Sequence, residues 1–217
     1  MKKYFGTDGI RGIPNKNLTN EIISKISSCV EEILKPTSVA VILDTRNSSL
    51  EILNWICEGF SENIEVVNYG VLPSGSMPIL LKHFGHNLGI IISASHNPSE
   101  YNGIKLIDEN GSKLQDNIEI KIESYFENIE VPKAHTSFKD SEDGYKVYYE
   151  FLNELFDFDI TNFNIVIDSA YGSAYKIIDH LLSENNSKFN MIANTPDGEN
   201  INFESGATYT NNLCSTL

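Results

Sequence analysis

Along the 217-residue chain, apolar positions recur either at helical spacing or as short continuous runs, and the regular alternation of the two predicts an α/β fold. Ile22, Ile23, Ile26, Val30 and Ile33 share one helical face. Thr19 is a ready N-cap before them and Pro36 cannot continue a helix after them, so a helix is expected through about Leu34. Residues 39–43 then read as a buried strand. Ile52, Leu53, Ile56, Cys57 and Phe60 mark a second helix, residues 65–69 a strand, 77–84 a third helix, and 88–92 a strand preceded by Gly85 and Asn87. Residues 103–108 follow as a strand that turns at Glu109-Asn110-Gly111, and 116–126 has helical spacing. The polar stretch 133–144, with Pro132 before it, His135 within it and an acidic cluster, reads as a linker. It divides the chain into a first unit, 1–144, and a second, 145–217, whose expected elements are helix 145–156, strand 164–168, helix 174–183 and strand 189–193. The sequence shows no internal repeat and no low-complexity tract.

Composition changes this picture little. Hydrophobic residues make up 41% and charged residues 21%, ordinary for a globular chain able to bury a core. A formal net charge of −14 argues against nucleic acid or an anionic membrane surface as a partner. A negatively charged ligand must therefore be attracted locally, by a few cations and backbone N–H groups. Cys29, Cys57 and Cys214 are odd in number, and the first two fall in apolar-periodic segments, so reduced packing thiols are expected rather than disulfides. After Met1 and two lysines come Tyr4, Phe5 and a glycine-rich turn, with no apolar stretch suited to a signal peptide or membrane span, and the expected location is the cytoplasm.

Two strings carry candidate chemistry. Residues 91–106, IISASHNPSEYNGIKL, set Ser95 and His96 in a small-residue loop directly after a strand, and in open α/β sheets ligands bind at that carboxyl edge. The same residues, 93–98, also compose an ordinary polar turn. Residues 5–12, FGTDGIRG, put three glycines and one arginine ahead of the first helix. Glycines let the backbone approach a ligand closely and a guanidinium offers a planar fork for phosphate; alternatively, Arg11 forms an ion pair with Asp8 inside a turn. Lys105, like most lone lysines at a strand edge, is by itself a solvated residue. His83, His86, His135 and His180 lack metal-ligand spacing.

Taken together, FGTDGIRG and SASHNP followed by YNGIK resemble the signature of the α-D-phosphohexomutases, enzymes that move a phosphoryl group between C1 and C6 of a sugar. PDGENIN at 196–202, SGAT at 205–208 and DSAYGSA at 168–174 are similar to the PDGLNIN, CGSTH and DCANGAA segments of that family's bacterial phosphoglucosamine mutase branch. The resemblance implies a phosphohexomutase-type domain 1, a mixed sheet between helices, plus an incomplete second α/β domain. It implies that Ser95 carries the phosphoryl group, with Ser93 a structural neighbour, and that His96 orients Ser95 or contacts the phosphate. Arg11, Lys105 and Asn97 are implied to bind substrate, Lys105 as the candidate proton acceptor near the reacting sugar hydroxyl. Asp44-Thr45-Arg46 resembles the family's DTR turn and reads as scaffold and cleft rim. Pro73-Ser74-Gly75, Ser169 and Tyr171 depart from the family's usual Pro-Thr-Pro, Cys and Asn, outside the serine loop.

The family's enzymes are roughly twice this length, so the chain is expected to be an N-terminal portion: domain 1 and part of domain 2. Its Asp-Gly-Asp-x-Asp-Arg magnesium loop and its Gly-Glu-x-Ser-Gly sugar loop do not occur in the sequence. Of the family's Mg2+ ligands, this chain would supply only Ser95, through its phosphate. The reaction implied is interconversion of glucosamine 6-phosphate and glucosamine 1-phosphate through a bisphosphate, ahead of peptidoglycan precursor synthesis. Hexosamine phosphate is the implied substrate and hexose bisphosphate the activator, and these residues alone are expected to be inactive. A non-catalytic truncated remnant or interaction protein, and one half of a split mutase, remain open alternatives. Strand 189–193 is expected to keep an unpaired edge and the face around Ile177, Ile178 and Leu181 to be uncovered, which favours self-association as a homodimer.

Overall fold

The computed structural model describes residues 2–156, 160, 162–185 and 188–216. Six strands, β1 (Ile10–Gly12), β2 (Ser38–Leu43), β3 (Glu65–Val71), β4 (Leu88–Ile92), β5 (Asn102–Asp108) and β6 (Phe138–Asp140), form one mixed sheet in the order β1-β5-β4-β2-β3-β6. β4, β2, β3 and β6 run parallel, while β5 is antiparallel to both β4 and β1. The central strands are buried on both faces, which explains why β4 reads as a continuous apolar run.

Helices cover both faces. On one, α1 (Asn20–Leu34), α2 (Ser49–Gly59) and α4 (Asp116–Tyr125) pack Ile23, Ile26, Val30, Ile52, Ile56 and Ile122 against the side chains of alternate strand positions such as Val39, Val41, Ile90 and Ile104. α1 begins where extended Thr19 accepts the Ile22 N–H on Oγ1, and it ends at left-handed Lys35, whose N–H returns to the Glu31 carbonyl. On the other face, α3 (Met77–Phe84) and α5 (Asp143–Leu155) pack Met77, Leu80, Leu81 and Tyr148 against Ala40, Ile42, Ile91 and Ile107. Cys29 and Cys57 are buried free thiols, and burial pushes them up to about 11 and about 12 respectively, as suits packing residues. Among the described residues no helix is long and apolar enough to cross a membrane.

Three features differ from the sequence expectation. The stretch read as a linker contains β6, which extends the sheet beside β3, with Asn68 donating to Asp140 at 2.7 Å. Its three residues carry one apolar side chain, Phe138, too few to show any period. Residues 10–12, expected as part of a turn, form an edge strand held by β5. The third difference lies beyond α5, where β7 (Ile165–Asp168) and β8 (Phe189–Ile192) pair in parallel as a separate two-stranded sheet, with α6 (Tyr175–Glu184) between them and α7 (Asn211–Thr216) after them. The α6 face expected to be uncovered is covered: Ile177 and Leu181 are 1% and 6% exposed, because α5 packs on α6 and Ile177 joins the core of Met77, Leu80 and Tyr148.

His86, 7% exposed, is a buried titratable group of this layer. Ser38 Oγ meets its Nδ1 and the Tyr69 hydroxyl meets its Nε2 at 2.7 Å. Burial holds the imidazole below its usual range, against a weaker upward pull from Glu65. The unfolded chain therefore takes up a proton near pH 6.5, as free histidine does, while the folded chain resists until lower pH, so this group's stabilisation is present above about pH 6.5 and lost below it. Melting temperature followed by circular dichroism should fall between about pH 7.5 and about pH 5.5, and His86→Gln should flatten that fall. An equal pH slope in the variant contradicts the assignment.

Candidate functional site

The carboxyl ends of β1, β2 and β4 and the amino end of β5 meet at one edge of the sheet. The antiparallel register places Arg11 opposite Gly103 and Gly12 opposite Asn102. Beside them the Ser93 N–H donates to the Gly103 carbonyl at 2.9 Å, and the Asp44 N–H to the Ile92 carbonyl at 2.9 Å. Two glycines permit this approach. A Cβ on Gly9, whose φ is +87°, would lie 2.2 Å from the Ile104 oxygen, and one on Gly103 would lie 2.3 Å from the Ile10 oxygen. Buried Asn102 fastens the same corner to the start of α2, donating to Ser48 Oγ at 2.9 Å and Ser49 Oγ at 3.2 Å.

Alternation along the strands puts Arg11, Gly103 and Lys105 on one face, and Asp8 joins the two cations. Its Oδ2 lies 2.8 Å from Arg11 Nη2 and 2.6 Å from Lys105 Nζ. The ion-pair alternative for FGTDGIRG is thus realised, with Lys105 as a second partner. Partial burial pushes the Asp8 carboxyl up, but Lys105 and then Arg11 outweigh it and hold the group below the usual carboxylate range.

Ser95 follows β4 in an exposed loop with φ 56°, a left-handed conformation that costs a non-glycine residue roughly 1–2 kcal/mol. Its N–H donates to Ser93 Oγ at 3.0 Å, so the Ser93 hydroxyl is used inside the loop. Among the described residues the Ser95 hydroxyl and the His96 ring make no hydrogen bond. His96 lines a cleft of about 420 Å3 with Pro98, Glu100, Glu199, Phe203 and Glu204. Asn97 contributes backbone to the loop: its N–H closes a turn on the Ala94 carbonyl at 3.2 Å, and its own carbonyl is held from below. A larger cavity of about 590 Å3, between the end of β3, β6, α5 and α6, includes none of these residues.

Arg46 does more than the sequence reading as scaffold and rim suggested. Only 3% exposed, it donates from Nε to Asp44 Oδ2 at 2.9 Å, from Nη2 to the carbonyls of Ser95 at 3.0 Å and Asn97 at 2.9 Å, and from Nη1 to that of Pro98. Asp44 Oδ1 also accepts the Arg46 N–H at 3.1 Å and the Ser49 hydroxyl at 3.2 Å. Burial pulls the guanidinium below its usual range and the Arg11 charge adds to this, while Asp44 opposes both. Asn202, the last residue of the PDGENIN segment, to which the sequence reading gave no role in the site, donates from Nδ2 to the same Ser95 and Asn97 carbonyls at 2.8 and 3.0 Å. Aspartate two residues before arginine at a strand end was the available clue to the first; for the second the PDGENIN segment marked the residue, but nothing local marks a contact 107 positions away.

Among the described residues no three His, Cys, Asp or Glu side chains gather into a group able to hold a metal ion. Near the serine loop Asp8 is engaged by two cations and Asp44 is buried against Arg46. The residues present do not fit a magnesium ion on their own.

Residues 2–133 match the family described as phosphoglucomutase/phosphomannomutase, alpha/beta/alpha domain I. The phosphoglucosamine mutase of Clostridium kluyveri is 36% identical over 230 residues, covering 100% of this chain and 51% of that protein. The crystal structure of a phosphoglucomutase/phosphomannomutase family protein from Burkholderia thailandensis matches with a TM-score of 0.74 at 20% identity, over 92% of this chain and 46% of that one. That of Aspergillus fumigatus N-acetylphosphoglucosamine mutase, in complex with GlcNAc-6P and magnesium, matches with a TM-score of 0.52 at 14% identity, over 99% and 45%. The chain spans about half the length of the curated relatives it matches.

The glycine contacts give a direct test of how the site is assembled. Gly103→Ala drives a methyl group into the Ile10 carbonyl and should cost roughly 1–3 kcal/mol as overpacking. Hydrogen exchange should speed up in residues 9–12 while the amides of β2 stay protected. Unchanged protection at 9–12 means that the close approach does not hold the edge strand.

Proposed function

As the chain belongs to the phosphoglucomutase/phosphomannomutase family, we propose that it is the N-terminal, phosphoryl-carrying portion of a phosphoglucosamine mutase, interconverting glucosamine 6-phosphate and glucosamine 1-phosphate through a bisphosphate. The observation that carries this reading is Ser95, an exposed serine at the carboxyl edge of the sheet whose hydroxyl is free while that of its neighbour Ser93 is engaged.

In the proposed forward step the sugar C1 hydroxyl oxygen attacks the phosphorus on Ser95. The bond from Oγ to phosphorus breaks as the new ester bond forms, and the hydroxyl proton is given up to a base. The reverse half returns the C6 phosphoryl group to Oγ and reprotonates the sugar oxygen. Such transfer asks the protein chiefly for positioning and charge neutralisation. Arg11 and Lys105, gathered by Asp8, are the proposed cationic partners of the transferring group and of the sugar phosphate, with Asn97 a proposed substrate contact from the serine loop and His96 at the rim of the cleft. Lys105, whose Nζ lies 2.6 Å from Asp8 Oδ2, is the proposed acceptor of the sugar hydroxyl proton.

The magnesium of the Aspergillus fumigatus complex supports a metal in the complete reaction, and its carboxylate ligands are proposed to come from outside the residues described. The same reading gives a hexosamine phosphate substrate, a hexose bisphosphate activator, a cytoplasmic location and a place ahead of peptidoglycan precursor synthesis.

Two measurements test it. In a mutase containing these residues, peptide mass spectrometry should find phosphate on Ser95, lost in Ser95→Ala and kept in Ser93→Ala; stoichiometric phosphate on Ser93 with Ser95 bare means the wrong serine. In a coupled assay, the 217 residues alone should turn over glucosamine 6-phosphate negligibly, for want of metal ligands and sugar-orienting groups, each worth orders of magnitude. Kinase-like turnover abolished by Ser95→Ala overturns that expectation.

A further inference from the structure

We propose that Arg46 and Asn202 are positioning residues which, by pinning the Ser95 carbonyl from two sides, turn the His96 N–H toward a phosphate on Ser95. The inference rests on the reading of Ser95 as the phosphoryl carrier and names how its loop is held for that work.

The two donors come from unrelated parts of the chain and converge on the same oxygens. Each of the Ser95 and Asn97 carbonyls accepts one hydrogen bond from Arg46 Nη2 and one from Asn202 Nδ2. Neither donor is free to swing. Arg46 is locked by Asp44 and buried, and Asn202 is fixed by its left-handed backbone, φ 62°, and by its N–H on the Ala170 carbonyl at 2.9 Å. A loop serine with an unfavourable φ persists only where its surroundings over-determine it, and four bonds to two neighbouring carbonyls do so.

The consequence for a phosphate lies in the geometry of one peptide unit. The peptide between Ser95 and His96 is trans, as no cis bond occurs among the described residues, so the Ser95 C=O and the His96 N–H point in opposite directions. With the oxygen held in the clamp, the N–H is aimed away from it. Among the described residues that N–H has no partner, and both Ser95 and His96 are exposed. A guanidinium on the oxygen of a peptide also polarises its N–H, strengthening it as a donor. Phosphoserine near neutral pH carries close to two negative charges and three acceptor oxygens, the ligand such a donor suits.

The test needs no turnover. Phosphoserine is installed at position 95 during synthesis of the full chain, and the His96 amide is followed by NMR as the phosphate titrates through its second pKa, about 6. In the parent chain the His96 amide proton should move downfield with the same midpoint as the 31P signal. In Asn202→Ala and in Arg46→Lys the movement should shrink to that of a free phosphopeptide spanning 93–98, with the amides of α1 and β2 unchanged. Should Arg46→Lys fail to fold, Asn202→Ala alone decides, because its side chain is only half-buried at the rim. A His96 amide that ignores the phosphate in the parent chain, or that titrates identically in a folded Asn202→Ala, overturns the proposal. The carrier reading is judged separately, by which serine a working mutase phosphorylates.

Discussion

A guanidinium withdrawn from water keeps its charge, so it needs a carboxylate beside it and acceptors for a rigid fork of donors. Arg46 meets that demand in a way that shapes everything around it. Its counter-ion Asp44 stands where β2 ends, with its own N–H still bonded to the Ile92 carbonyl of β4, so the pair is anchored to the sheet. The rest of the fork then faces the chain leaving β4, and the carbonyls of Ser95, Asn97 and Pro98 complete it. The flanking residues extend the same post: the Thr45 hydroxyl donates to the Tyr171 carbonyl at 2.6 Å, and the Asn47 N–H to that of Gly198 at 3.2 Å. One short segment therefore supports the serine loop on one side and the turns at Tyr171 and Gly198 on the other.

The sequence made the secondary elements legible because the central ones are long and fully buried. α1, α3 and β4 lie where periodicity, caps and Pro36 put them. What escaped was structure without local periodicity. β6 is three residues at a sheet edge with a single apolar side chain, and β1 owes its existence to pairing with β5 some ninety residues later. Of the site, residue types and motif order pointed to Ser95, His96, Lys105 and Arg11, and the structure brings Arg11 and Lys105 together through Asp8. The Arg46 and Asn202 contacts were not legible, since their acceptors are backbone carbonyls, which every residue carries. Coverage of α6 by α5 was misjudged for a related reason. Which helix meets which is set by the crossover path, and the polar run that hides β6 also hides that path.

Asp8 gives the two cations beneath the loop a resident counter-ion. An anion arriving there takes part in an exchange, gaining its own attraction to Arg11 and Lys105 less what the tethered carboxylate gives up. A chloride or an acetate, with the same single charge and no tether, has nothing to offer over Asp8. A phosphate monoester, with nearly two charges near pH 7, does. If a substrate phosphate is bound here, as proposed, valence as well as shape would decide which solutes this pair of cations admits.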